Sequence, residues 1–64
     1  ELIGLRVVTV EGRELGVLKD VLQPGANDVY VVEGPEGELL LPAIGEVVVR
    51  IDVGEGVAVV RAPE

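Results

Sequence analysis

Valine-rich runs of four to nine residues, most of them cut off by glycine or proline, constrain this chain more than any other feature. Leu5–Val10 reads as a first strand ended by Glu11-Gly12, Glu14–Leu22 as a second ended by Pro24-Gly25, and Asp28–Glu33 as a third. Gly34-Pro35-Glu36-Gly37 then turns the chain into Glu38–Leu41, and Val47–Val53 and Val57–Ala62 form a last pair across Gly54-Glu55-Gly56. β-Branched side chains pack well on a pleated surface, whereas Gly and Pro supply the turn geometries that end a strand. Six such runs in 64 residues exclude a helical bundle. The only helical candidate is Pro42-Ala43-Ile44-Gly45-Glu46, one turn at most, with Pro placed where its missing N–H would be unpaired anyway.

Alternation predicts which faces are wet. In the fifth run Val47, Val49, Ile51 and Val53 fall on one face and Glu46, Arg50 and Asp52 on the other, with Val48 the exception, as in a half-buried antiparallel strand. The third run has Val29 and Val31 on one face and Tyr30 and Val32 on the other. A strand apolar on both sides needs cover on each, or keeps one face for a partner. A flat sheet of this composition would present hydrophobic edges, so closure follows. The expected fold is all-β: a small six-stranded antiparallel barrel, closed or partly open, its interior filled by Val, Leu and Ile.

At this length, with 48% hydrophobic residues, the chain makes a single domain over residues 1–64, and a core of this size rarely supplies more than roughly 3–5 kcal/mol. It opens without Met almost directly into a strand pattern, so it is expected to be a domain excised from a longer protein. Twelve acidic residues face five basic ones, a net charge of −7. Such a surface repels phosphate backbones, so little or no direct nucleic-acid binding is expected and a basic protein is the easier partner. Apart from its partner the domain is expected to be a monomer. No apolar run is long enough to span a bilayer and no signal-peptide pattern occurs, which sets the expectation of a soluble cytoplasmic protein.

The chemistry of catalysis is thinly represented. Ser, Cys and His are all absent, leaving Thr9, Tyr30 and Lys19, each isolated. Lys19, between Leu18 and Asp20, reads as a solvated lysine paired with a carboxylate rather than as a catalytic one. No spacing singles out a carboxylate pair, and no turn offers the alternating oxygen ligands of a divalent-cation loop. Gly54-Glu55-Gly56 is followed by Val at position 59, where a dinucleotide fingerprint needs Gly, and no Gly-Lys-Ser/Thr triplet occurs. No catalytic residue, cofactor or metal site is therefore expected. The stretch "PGANDVYVV" holds the remaining candidates. Pro24-Gly25 suits a type II turn, and Asn27 and Asp28 can bond nearby amides to set the entry of the third strand. Tyr30 reads first as a half-buried sheet residue. Asn27, Asp28 and Tyr30 are the possible partner contacts.

Taken together, "ELIGLRVVTVEGRELGVLKDVL", "PGANDVYVV", and "LLLPAIGEVV" leading into "VRIDVGEGVAVV" resemble, in order, the C-terminal PRC-barrel domain of the ribosome maturation factor RimM. The opening "LIG" with "EGRELGVLKDV" is the general PRC-barrel pattern, and "GANDVYVV" with "LLLPAI" narrows it. The resemblance implies a non-enzymatic factor that binds the immature small ribosomal subunit, aids maturation of its head and processing of its rRNA, and meets ribosomal protein S nineteen. In that family an N-terminal barrel domain precedes this one, and an aromatic stretch associated with subunit binding lies just upstream of the position that is Glu1 here. The alternative is a PRC barrel serving as a structural or assembly module elsewhere, as in the reaction-centre H subunit or stand-alone PRC proteins.

Overall fold

In a computed structural model that describes residues 2–23 and 28–61, the chain forms six strands. These are β1 Arg6–Thr9, β2 Glu14–Leu22, β3 Val29–Gly34, β4 Gly37–Pro42, β5 Val48–Asp52 and β6 Val57–Val60. Each lies where the β-rich runs and their glycine and proline punctuation place it. The Pro42–Glu46 segment makes no helix: Val47 N–H and Val48 N–H both donate to Ile44 O, at 2.9 and 2.8 Å, closing a single turn.

All six strands belong to one sheet in the order β4-β3-β2-β1-β6-β5. β1 to β4 run as an antiparallel meander, and β5 and β6 pair as an antiparallel hairpin. The β1–β6 pair is parallel, with Arg6 opposite Val57 and Thr9 opposite Val60, so the sheet is mixed rather than wholly antiparallel. A first and a last strand that enter from opposite ends of the chain can lie side by side in either sense, and no local signal encodes which. β4 and β5 are the two edges and are not joined, so the expected barrel takes its partly open form.

Leu5, Val7, Leu18, Tyr30, Val32, Leu41, Ala58 and Val60 make the buried core, drawn from β1, β2, β3, β4 and β6 and from the approach to β1. Full burial of a Val or Leu side chain contributes about 1.5–3 kcal/mol, so this cluster carries most of the stability of so small a domain. Leu15, Val21, Leu39, Val48 and Ile51 are half-buried and pack around it.

Three bulges bend the sheet, at Val7/Val8 in the β1–β2 pair, Leu18/Asp20 in β2–β3 and Val48/Arg50 in β5–β6. An extra residue in one strand adds local twist and resets which side chains face inward. This corrects the alternation expected for the fifth run. Val48 and Ile51 both pack against the core, while Val49, the extra residue, is 44% exposed. The apparent exception, Val48, is an inward-facing residue.

At two glycines β2 and β3 approach each other closely. A Cβ placed on Gly16, whose φ is +151°, would lie 2.2 Å from the carbonyl oxygen of Glu33, and one on Gly34 would lie 2.2 Å from that of Leu15. Only glycine at both positions lets the strands cross this tightly. Gly16→Ala and Gly34→Ala are each expected to lower unfolding stability by about 2 kcal/mol or more. Gly45→Ala, where nothing lies within 4 Å of the added carbon, should stay within about 0.5 kcal/mol of the parent. Urea midpoints at constant m-value make the comparison.

Candidate partner-binding face

The few side chains able to do chemistry are engaged in structure. Thr9 is buried, and its Oγ1 accepts a hydrogen bond from Arg13 N–H at 3.0 Å. Its own N–H donates to Arg13 O at 2.8 Å and its carbonyl accepts from Gly12 N–H at 2.8 Å, so one residue closes the β1–β2 turn. Lys19 Nζ donates to Glu38 Oε2 at 2.6 Å across β2 to β4. That hydrogen bond and the Glu38 charge, aided by Glu33, raise the lysine above its ordinary pKa. A lysine that acts as base or nucleophile needs the opposite shift, so the sequence reading of Lys19 as a solvated, paired residue stands.

Tyr30 lies deeper than half-buried, at 8% exposure within the core cluster, opposite Val21 on one side and Leu41 on the other. It has little surface to offer a partner. Asp28 is half-buried at the entry to β3, and its carbonyl accepts from Ala43 N–H at 2.9 Å, tying that entry to the β4–β5 connection. Asn27 lies outside the described residues.

Sequence reasoning about single residues passed over a surface made by three strands together. Register sets Leu22 beside Val29 and Val29 beside Pro42, and one step along the strands it sets Asp20 beside Val31 and Val31 beside Leu40. Next come Val17, Glu33 and Glu38. Residues directly opposite share a face, so these nine line the outer side of β2–β3–β4 while Leu18, Tyr30, Val32 and Leu41 line the inner one. Leu40 is 58% exposed and Leu22 43%, whereas Val31 between the strands is only 6% exposed and stands apart from the core cluster. The signal for this face was the third run, apolar on both sides.

Charge divides the outer surface. Asp20, Glu33 and Glu38 sit on the β2–β3–β4 half, with Lys19 alone in opposition and itself bound to Glu38. Toward the other half Arg6 of β1 pairs with Glu14 of β2 at 2.9 Å and Arg50 pairs with Asp52 within β5 at 3.1 Å, beside the exposed carboxylates of Glu46 and Glu55. A shallow groove of about 400 Å³ at the tips of the β1–β2 and β3–β4 hairpins is bordered by Arg13, Glu14, Leu15, Pro35, Glu36 and Leu39. It holds no nucleophile. Among the described residues no group of three or more His, Cys, Asp or Glu is placed to hold a metal ion.

A partly open, six-stranded barrel built from one all-β sheet belongs to the class of small β-barrel domains. Within that class the family model described as the RimM PRC barrel domain matches residues 1–64, and the chain belongs to that family. A ribosome maturation factor RimM from Caldanaerobacter subterraneus is 55% identical over the whole chain, and one from Levilactobacillus brevis is 46% identical. In each case the chain spans 38% of the relative's length. The crystal structure of a RimM protein from Pseudomonas aeruginosa, named for 16S ribosomal RNA processing, superposes with a TM-score of 0.88 at 39% identity, covering 97% of this chain and 41% of that one.

Thr9→Val keeps the shape of the buried side chain and strands the Arg13 N–H. A loss of about 1–2 kcal/mol in thermal or urea unfolding is expected, with no change in partner binding measured on the folded protein.

Proposed function

We propose that this domain is a protein-recognition module of small-subunit assembly, which docks on a basic protein of the small-subunit head, ribosomal protein S nineteen, during maturation of the subunit and processing of its rRNA. The observation that carries the reading is the family match along the whole chain in a domain with a net charge of −7. Ribosomal proteins are basic as a class, and an acidic domain meets one through complementary fields without competing for RNA. The module would work in the cytoplasm, where subunits are assembled. It acts by occupying and then releasing a site, a role that calls for no nucleophile, cofactor or metal. Asp28, with its neighbour Asn27, belongs to the contact region at the entry to β3.

Affinity capture with the domain as bait, against the separated proteins of the small subunit, tests this. Enrichment of protein S nineteen, weakening as salt is raised, is the expected result; recovery of no head protein would sink the proposal. Incubated with precursor rRNA and Mg²⁺, the domain is expected to leave the RNA intact, and a discrete cleavage product would overturn the non-enzymatic role.

A further inference from the structure

We infer that the outer face of β2–β3–β4 is the docking surface, and that it receives an extended basic segment of the partner with one apolar side chain seated among Leu22, Val29, Leu40 and Pro42. The inference rests on the partner being a basic protein, and it adds where and how that protein is held.

Several observations converge on this face. Its apolar residues come from three adjacent strands in register and form one continuous strip, rather than the single exposed side chains that any surface carries. Ile3, Val10, Val49 and Val53 are also exposed, but they lie outside these three strands, three in turns and one in the β5 bulge. Val31 is the floor of the strip, and the exposed Leu40 and Leu22 rise beside it. A seat of this kind favours a side chain that brings its own apolar area and leaves water behind.

Charge selects the occupant. Asp20 borders the strip along its length, Glu33 and Glu38 lie beyond it toward the β3–β4 turn, and Asp28 stands at the entry to β3. The single amine, Lys19, is committed to Glu38. A segment carrying Lys or Arg on both sides of an apolar residue satisfies strip and border together. Toward β1, β6 and β5 the surface carries Arg6 and Arg50, paired with Glu14 of β2 and with Asp52, and these guanidiniums meet a basic segment with like charge.

The edge of β4 directs the segment onto the face instead of alongside it. Gly34 pairs with Gly37 across a two-residue turn, so the backbone groups of Glu38, Leu40 and Pro42 point to the open edge. Pro42 has no N–H to donate, and a charged Glu38 occupies the other end, two devices that discourage addition of a strand.

The test is an NMR titration of the ¹⁵N-labelled domain with purified ribosomal protein S nineteen, repeated with oligolysine as a probe of charge alone. Shifts from the ribosomal protein are expected at Asp20, Leu22, Val29, Val31 and Leu40. Oligolysine is expected to perturb the acidic border and bind at least about tenfold more weakly, since it fills no apolar seat. Leu40→Lys and Leu22→Lys, both at exposed positions, should retain the strand spectrum by circular dichroism and lose about tenfold or more in affinity. Val53→Lys, away from this face, should change affinity less than about twofold. Unchanged affinity in both leucine variants, or shifts confined to β1, β6 and β5, would refute the face while leaving the basic-partner function in place. Absence of binding by the unaltered domain would remove that function, and this inference with it.

Discussion

The parallel pairing of β1 with β6 joins what would otherwise be two separate pieces. The meander from β1 to β4 and the hairpin of β5 and β6 meet in the sheet only along this seam. Bonds just beyond the paired residues extend it, with Arg6 N–H donating to Gly56 O and Val10 N–H to Val60 O, both at 2.9 Å. It sets Val7 beside Ala58 and Thr9 beside Val60, four buried residues from opposite ends of the chain. Its formation closes a loop of about fifty residues, and that entropy is recovered only when the core assembles with it. A substitution on either strand therefore acts on the whole domain.

Curvature follows from the glycines and bulges. Gly16 and Gly34 let β2 and β3 approach more closely than side chains allow, and the bulges at Leu18/Asp20 and Val48/Arg50 turn the sheet toward its own concave side. The concave side collects Leu18, Val32, Leu41 and Val60, and the convex side keeps the charges. Edges β4 and β5 remain open, and β4 carries Pro42 and Glu38 where an unprotected edge would recruit further strands. The same sheet thus provides a core filled by side chains and an outer surface that mixes carboxylates with exposed apolar residues.

Lys19 is spent on Glu38, Thr9 on its turn and Tyr30 on the core, so the polar groups that could have reacted instead hold the shape. Outside lie the carboxylates of Asp20, Glu33 and Glu38 on the β2–β3–β4 half, and the Arg6–Glu14 and Arg50–Asp52 pairs toward β1 and β5. Under the proposed function, long-range fields from these carboxylates orient an approaching basic partner, and apolar contact then decides how long it stays.

The sequence by itself determined the class of fold and the six elements to within a residue or two at most ends. Strand and turn preferences are local, and glycine and proline act at the position where they stand. It also carried the family, through "GANDVYVV" and "LLLPAI", and it marked the third strand as apolar on both sides. Only the tertiary structure decided that β1 and β6 run parallel, because their partners lie fifty residues apart. Only it showed Val48 turned inward and Val49 outward, because a bulge breaks the period of two on which face assignments rest. The strip of Leu22, Val29, Leu40 and Pro42 beside its acidic border exists only in the folded sheet, because strand register brings together residues that the chain keeps far apart.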